Sequence, residues 1–232
     1  MSISLTILGI ILICTSLQDV FQTLFHPASH GTMSDWLGKF VWRRFRRFSR
    51  IRKGLLTLAG SFSMFTIILT WALLVLLGFT LLYYSQIKTF RTMPGLNSVR
   101  DYAFFDAWNV SIASLITITG DITTVSPWMR LAMSLEAVIG FGMLTASVSW
   151  LLSIYPVLEA RRTLASVVHS LEVAGRDSGT ELLSLPETEL ARTLTALSQS
   201  LASIRNQTAQ FPITYYFTIR RSEEELAAKL PY

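Results

Sequence analysis

The residues of this 232-residue chain whose types and spacing most clearly suggest a chemical role form one short segment, the turn Thr-Ile-Thr-Gly-Asp at positions 117–121. Backbone carbonyl oxygens in such a turn can replace the hydration shell of a monovalent cation, and threonine hydroxyls offer further ligands. The turn therefore predicts an ion-coordinating segment formed by Thr117, Ile118, Thr119 and Gly120. Asp121 would be the acid at its outer mouth; the alternative is that it only caps a turn.

Three flanking features would position this turn. Apolar residues 104–115 predict a short pore helix, and Asp106 in its first turn suits the helix dipole and can support the turn. Glu136 lies in the next apolar segment, where an acid is costly. Either it hydrogen-bonds behind the turn and holds it rigid, which we favour, or it faces the ion path. Gly140 and Gly142 form a gating hinge or allow close helix packing.

The surrounding elements follow from composition. The chain is 51% hydrophobic and 15% charged, whereas a soluble domain carries about 25% charged residues. Residues 54–87 contain no Asp, Glu, Lys or Arg, and a membrane span needs roughly 20 apolar residues. Residues 103–158 hold a short apolar piece, a polar turn and a long apolar piece, which is typical of a re-entrant loop. We predict spans at Ser2–Phe25, Leu55–Tyr84 and Ser126–Leu158. The last span would line the inner cavity.

A basic segment separates the first two spans. Residues 35–53 carry eight Lys or Arg and one acid, and predict an amphipathic helix on anionic lipid headgroups rather than a nucleic-acid site. Its apolar half on a helical wheel consists of Trp36, Leu37, Phe40, Val41, Phe45, Phe48 and Ile51. So basic a loop stays in the cytoplasm, which places the N-terminus outside, the C-terminus inside, and Tyr83 and Tyr84 at the outer interface. Asp19 either pairs with an arginine of this helix or is exposed at the interface.

A helical cytoplasmic tail is expected after the last span. Ser184-Leu185-Pro186-Glu187 is typical of a capping box with proline in the first turn. Leucines 190, 194, 197 and 201 and Ile204 recur at heptad spacing, which indicates either a packed helical hairpin or a coiled coil. The predicted organisation is a first span (1–33), a basic helix (34–54), a pore domain (55–158) and the tail (159–232).

These motifs resemble those of the bacterial two-transmembrane potassium-channel family. The pore motif runs from Phe105-Asp106-Ala107-Trp108 to Gly120-Asp121-Ile122-Thr123-Thr124-Val125-Ser126-Pro127, followed by Arg130, Glu136 and Gly140. Asp19–Pro27 and Phe211–Phe217 are similar to segments of a subgroup with an extra N-terminal span and a helical tail. The resemblance implies an all-α membrane protein with three transmembrane helices per subunit, a re-entrant pore helix and a filter loop. It also implies a homotetramer in the bacterial inner membrane that passes K⁺ or Na⁺.

The filter departs from the family pattern Thr-(Val/Leu)-Gly-Tyr-Gly-Asp. With both flanks aligned it is one residue short, and Thr119-Gly120 stands where the family has Gly-Tyr-Gly. The first glycine normally permits a left-handed backbone angle, which a β-branched threonine resists. We therefore expect a shorter, wider filter and a weakly selective cation channel. The alternatives are a potassium-selective channel and a non-conducting membrane scaffold or sensor that acts through its tail.

Catalysis and metal binding find little support in the sequence. It contains no P-loop, no His-Glu-x-x-His run and no nucleophile elbow, so we expect neither an enzyme substrate nor a nucleic-acid partner. His26 and His30 are four residues apart, but Pro27 between them disfavours the regular helix that would bring them together. We expect no bound metal, and no cofactor beyond the permeant ions.

Overall fold

The computed structural model describes residues 2–25, 31–48, 56–92, 103–118, 120–174 and 186–217. Most of these residues are helical. The helices are α1 (Ser2–Phe25), α2 (Thr32–Phe48), α3 (Leu56–Ser85), α4 (Ala103–Leu115), α5 (Pro127–Ala174) and α6 (Glu187–Gln210). The other elements are two 3-10 helices (Ile87–Thr89 and Pro212–Tyr216) and two short strands, β1 (Phe90–Thr92) and β2 (Ile122–Thr124).

Three helices are long and apolar enough to cross a membrane, by length and composition. The candidate spans are Ile3–Leu24 in α1, Leu58–Ser85 in α3 and Pro127–Ser170 in α5. The chain is therefore an α-helical membrane protein, as predicted. α1 has the predicted bounds, and both ends of α3 lie within one residue of the prediction.

The helix α5 extends well past Leu158, the predicted end of the last span, as far as Ala174. Pro156 lies inside α5 and does not end it. Leu164 and Ala165 beyond it are buried, so we attribute the continuation to packing that offsets the cost of the proline. The expected boundary between pore domain and tail falls within one helix.

The chain groups into two compact units, each made of separate stretches of sequence. The first comprises Met1–Asp35 and Thr66–Ser149, and the second comprises Trp36–Phe65 and Trp150–Tyr232. The helices α2, α3 and α5 each contribute residues to both units. The four consecutive segments expected from the sequence stay a prediction.

In the first unit, α1 packs closely against α3. A Cβ atom at Gly9 would come within 2.5 Å of the carbonyl oxygen of Gly78, so glycine is what lets the two backbones approach. The Ser16 hydroxyl donates a hydrogen bond to the carbonyl oxygen of Trp71 at 3.1 Å. Small residues and hydroxyl groups are the usual means by which membrane helices associate, and this pair follows that rule.

A two-stranded sheet, which the sequence analysis missed, joins the end of α3 to the segment before α5. β1 pairs with β2 in antiparallel register, with Arg91 opposite Thr123. The Arg130 side chain at the start of α5 donates from Nε to the carbonyl oxygen of Thr124 at 2.9 Å. Residues 85–102 were predicted to be a loop, and three of them form a strand instead. Strands of three residues are too short for alternation to indicate them.

Asp19 is buried, which corrects both sequence-based expectations for it. Its carboxylate is 5% exposed and accepts hydrogen bonds from Trp71 Nε1 at 2.8 Å and from the Met33 backbone N–H at 3.1 Å. The Ser34 hydroxyl donates to the same carboxylate. Because Met33 and Ser34 belong to the first turn of α2, Asp19 caps that helix from α1 with a negative charge at its positive end.

In the second unit, one face of α2 packs against the protein itself. A Cβ atom at Gly38 would lie 2.8 Å from the Tyr216 ring, and Trp42 packs on the same ring with centroids 5.7 Å apart. The Phe45 ring lies 5.2 Å from the ring of Phe62 in α3. This face of α2 is therefore occupied by Tyr216 and by Phe62 near the start of α3.

The opposite face of α2 carries part of the predicted apolar half. Trp36 and Phe40 are 61% and 42% exposed in the chain, whereas Val41 is buried; contact of the apolar half with lipid headgroups stays a prediction. A helical wheel divides residues between two faces of the helix, but it does not show which side chains pack against other parts of the protein. The helix begins at Thr32 and ends at Phe48; residues 49–53 of the predicted basic helix lie outside the described residues.

The segment after α6 docks on the second unit through close contacts. A Cβ atom at Gly60 of α3 would lie 2.5 Å from the Phe217 ring, so only glycine leaves space for that ring. Arg161 of α5 donates from its guanidinium to the carbonyl oxygen of Thr214 at 2.9 Å. The Phe211–Phe217 motif therefore packs against the helices, on α2, α3 and α5.

The helix α6 starts one residue after Pro186, which is its N-cap and makes no side-chain capping bond. Ser184 of the predicted capping box lies outside the described residues. Of the heptad positions, Ile204 is buried, whereas Leu194 and Leu201 are 51% and 40% exposed. One side of α6, which includes Ile204, and residues 156–167 of α5 line a cavity of about 730 Å³.

We predict that Asp19→Ala destabilises the protein markedly. The substitution leaves the Trp71 indole N–H, the Ser34 hydroxyl and one helix N-terminal N–H without their acceptor, at a cost of about 2–3 kcal/mol. Thermal unfolding of the purified protein in detergent, followed by circular dichroism, should show a lower midpoint than the wild type.

The matched control for this prediction is Asp121→Ala, which removes an acid from an exposed position. Its unfolding midpoint should stay close to the wild-type value. Equal midpoints for Asp19→Ala and the wild type would contradict the capping role of Asp19.

Candidate ion-coordination site

The short helix α4 lies alongside the C-terminal half of α3 in the first unit. At its start, the Phe104 ring packs edge-on against Tyr84, with centroids 6.0 Å apart. Two turns further on, the Ser111 hydroxyl oxygen lies 3.1 Å from the carbonyl oxygen of Leu76. The 13 residues of α4 extend about 20 Å, which is less than the hydrocarbon core of about 30 Å.

A tight turn ends α4 and contains the first predicted ligand. The N–H of Thr117 donates to the carbonyl oxygen of Ser114 at 3.0 Å, and the N–H of Ile118 donates to that of Ala113 at 2.8 Å. This pair of bonds is the Schellman pattern, in which the residue at the position of Thr117 adopts a left-handed conformation and is usually glycine. Thr117 has φ 61°, so a β-branched residue is held in a strained backbone.

The residues beyond the turn return beside α4. A Cβ atom at Gly120 would lie 3.3 Å from the side chain of Ala113, and β2 is in contact with α4. Thr117 and Asp121 are exposed in the chain, and Ile118 is 61% exposed. Thr119, the remaining predicted ligand, lies outside the described residues. Three of the four predicted ligands and the acid therefore lie together at the end of α4.

Glu136 is the centre of a buried hydrogen-bond network. Its side chain has no exposed surface. The Tyr83 hydroxyl of α3 donates to one carboxylate oxygen at 2.7 Å, and the Ser111 hydroxyl of α4 donates to the other. The network joins α3, α4 and α5, and it places Glu136 behind α4. The role of Glu136 as a support for the turn stays a prediction.

Gly140 extends the contact between α4 and α5 by one turn beyond Glu136. A Cβ atom there would lie 2.2 Å from the carbonyl oxygen of Leu115, the last residue of α4. The pair Ser111 and Leu115 on α4 thus meets the pair Glu136 and Gly140 on α5. Gly142 has open space instead, since outside its own turns of α5 no described atom lies within 4 Å of a Cβ built there. The two glycines, grouped together in the sequence analysis, have different surroundings.

Asp106 lies in the first turn of α4, as predicted, and is partly exposed. Partial burial raises the pKa of its carboxyl above the usual value for aspartate. The negative charge remains favourable at this position because the helix N-terminus is the positive end of the dipole. Its role as a support for the turn stays a prediction.

A cavity of about 300 Å³ lies beside the turn. Its lining is mostly apolar and comes from α3, the end of α4 and α5. It is formed by Ile68, Ala72, Leu115, Ile116, Thr117, Gly140, Phe141, Met143, Leu144 and Ser147. Ile68 and Ala72 are near the middle of the span Leu58–Ser85, which indicates the depth that Thr117 reaches.

Sequence reasoning missed Tyr83 and Ser111 as the hydrogen-bond partners of Glu136. Tyr83 was assigned to the outer membrane interface, yet it is fully buried. The sequence shows which residues share a helix face, but not which residues of different helices pair. Ser111 and Leu115 are four residues apart, as are Glu136 and Gly140, and residues so spaced share one helix face. His26 and His30 lie outside the described residues, and in the part of the chain that is described no three His, Cys, Asp or Glu side chains cluster as a metal site would.

Comparison with known proteins gives one similarity. No family model matches the chain, and no solved structure matches it. The uncharacterized membrane protein YdjJ of Bacillus subtilis (strain 168) is 24% identical over 228 residues. The alignment covers 94% of this chain but only 64% of that relative, so the chain spans less than two thirds of the relative's length. Its description as a membrane protein agrees with the three spans.

We predict that Gly140→Ala disrupts the protein, whereas Gly142→Ala does not. The new methyl group at position 140 collides with the Leu115 carbonyl, and overpacking of this kind costs about 1–3 kcal/mol. At position 142 alanine favours the helix by about 1 kcal/mol in an open position. The midpoint of thermal unfolding and the yield of monodisperse protein should fall for the first variant only. Equal behaviour of the two variants would contradict the close approach of α4 to α5.

Proposed function

We propose that four copies of this chain surround one axis and form a channel for monovalent cations, with residues 117–121 of each copy as the narrow part of the ion path. The observation that carries the proposal is the way α4 packs between α3 and α5. A helix too short to span is held between two spans by Ser111, Glu136 and Gly140, and it ends in a polar turn. A re-entrant pore helix and filter loop need this combination.

Contacts at both ends of the segment support a loop that enters and leaves the membrane on one side. Phe104 packs on Tyr84 near the end of α3, and β2 pairs with β1 directly after α3. Between these points, Thr117 lines a cavity with Ile68 and Ala72 near the middle of the span. Irregular backbone at that depth is tolerated where protein buries it or where it lines a watery cavity.

The preference for cations rests on two sources of negative potential. The C-terminal end of α4 carries the negative end of the helix dipole and leads into the turn at Thr117. Asp121 follows and is exposed, so four copies would place a ring of four carboxylates at one mouth. The permeant ions would be K⁺ or Na⁺.

One face of α5 is suited to line the inner cavity. Gly142 has open space beside it, and Thr145 on the next turn is exposed. Val138, one turn earlier, is 69% exposed. These residues recur at spacings of four and three, so they share one side of the helix. In the homotetramer that side would face the axis, and its small and hydroxyl-bearing residues would leave room for hydrated ions.

The turn favours weak selection between potassium and sodium. Thr117 is the left-handed cap of α4, and its N–H donates to the carbonyl oxygen of Ser114 while its own carbonyl oxygen remains available as a ligand. The segment is one residue shorter than the family motif, so it offers fewer carbonyl oxygens and leaves the ion more of its water. Strong selection requires that the whole hydration shell be replaced. We therefore favour a weakly selective pore over a potassium-selective one.

The proposed orientation follows from the charge of α2. Arg43, Arg44, Arg46 and Arg47 directly precede the span in α3, and such clusters stay in the cytoplasm. The N-terminus would then be outside and the tail inside. Similarity to a membrane protein of Bacillus subtilis supports a bacterial inner membrane as the location.

We predict that Asp121→Asn lowers the single-channel conductance in planar bilayers severalfold at low ionic strength and much less at high ionic strength. The reason is that a ring of charges concentrates cations only within the Debye length, which is about 30 Å at 0.01 M salt and about 3 Å at 1 M. Conductance measured across that range of potassium chloride concentrations tests the prediction.

Two variants serve as controls for this experiment. Asp121→Glu keeps the charge and should keep most of the conductance. Glu189→Gln removes an acid from an exposed position of α6 and should have no effect. A conductance for Asp121→Asn equal to that of the wild type at every salt concentration would contradict the assignment of Asp121. If assembled wild-type protein carries no current, and changes in the tail rather than at Asp121 impair the protein, the scaffold alternative is supported instead.

A further inference from the structure

We propose that the outward face of α2 binds the anionic headgroups of the membrane leaflet at the start of the α3 span. This inference is independent of the proposed channel function, because it rests on a different surface. That surface, the α2 ridge, is defined by the exposed residues Trp36, Lys39, Phe40, Arg43, Arg44, Arg46 and Arg47.

The α2 ridge is a single continuous strip on the helix. At about 100° per residue, its seven members fall within an arc of about 160° centred on Trp36. Five of them are cationic, and the only acid of α2 is Asp35 in the first turn. The remaining positions from 37 to 45 are buried or half-buried. The basic residues of α2 therefore lie on its exposed side.

The α2 ridge is presented outward because the other face is held by the protein. Gly38 and Trp42 pack on Tyr216, and Phe45 packs on Phe62. An ordinary amphipathic helix on a membrane buries its apolar face in lipid. Here protein already covers that face, so lipid meets the basic and aromatic face instead.

The depth of α2 follows from its contact with α3. Phe62 lies near the start of the span Leu58–Ser85, and Phe45 of α2 lies 5.2 Å from it. Phe45 is therefore close to the boundary between hydrocarbon and headgroups. Arg43 and Arg47 flank Phe45 in sequence and are exposed, so their charges lie at headgroup level. One turn apart on the same face, they can share a single phosphate.

The exposed aromatic residues distinguish lipid binding from a purely topological role. Trp36 stacks on Phe40 with centroids 5.5 Å apart and planes within 14°, and the Arg44 guanidinium lies 5.2 Å from the centroid of Phe40. The positive-inside rule requires charge alone. Tryptophan beside arginine is typical of the interfacial zone, where the ring contacts glycerol and the upper acyl chain while the cation contacts phosphate.

The test is a titration of the purified full-length protein with phosphatidylglycerol or phosphatidylcholine, with bound lipid counted by native mass spectrometry. We expect the wild type to prefer phosphatidylglycerol. The double variant Arg43→Gln/Arg47→Gln should bind phosphatidylglycerol roughly 30-fold more weakly, because each cation near an anionic surface contributes about one kcal/mol. Inorganic phosphate in excess should not displace the lipid, since it lacks the acyl chain.

The matched control is Arg192→Gln/Arg205→Gln, which removes the same charge from exposed positions of α6 and should leave lipid affinity unchanged. Phe40→Ala keeps every charge and should weaken phosphatidylglycerol binding severalfold. Several results would overturn the proposal: no preference for the anionic lipid, equal losses in the two double variants, or displacement by phosphate alone. A change in the number of chains per assembly without a change in lipid affinity would assign the α2 ridge to a contact between copies and would also overturn it.

Discussion

The carboxylate of Glu136 joins three helices of the first unit, and the arrangement of the candidate site depends on it. A buried carboxylate is costly unless donors surround it. Here Tyr83 of α3 and Ser111 of α4 supply them. One turn further along α5, Gly140 admits the last carbonyl of α4. Hydrogen bonding and close packing thus act at successive turns of the same two helices, and together they hold the short helix α4 against α5.

The way α4 ends has consequences for the ion path that we propose. Thr117 takes a left-handed conformation that closes the helix through the bonds of Ile118 and Thr117 to Ala113 and Ser114. A β-branched residue in that conformation costs on the order of 1–3 kcal/mol and persists only when its surroundings enforce it. The contacts of α4 with Glu136 and Gly140 are surroundings of this kind. In our account, the same rigidity that tolerates the strain also holds the oxygen ligands in place, which a filter requires.

Much of this architecture follows from the sequence because it is encoded in local composition. The spans come from apolar runs, and α4 comes from an apolar piece too short to cross a membrane. The partners of Glu136 were not predictable in the same way, since Tyr83 and Ser111 are 53 and 25 residues from it and nothing local marks the pairing. Asp19 was misjudged for the same reason, as its donors come from α2 and α3. Thr119, expected to resist a left-handed backbone angle, lies outside the described residues, and the left-handed angle observed at Thr117 was not anticipated. The exposure of Trp36 and Phe40 depends on what packs beneath α2, which a helical wheel does not contain.

The most direct test of the channel account is the reversal potential of the purified protein in a planar bilayer, with a potassium salt on one side and the same concentration of a sodium salt on the other. The account predicts currents carried by cations that reverse close to zero. A reversal near the potassium equilibrium potential would contradict the weak selectivity inferred from the short turn. Absence of current from folded, assembled protein would contradict the channel function itself.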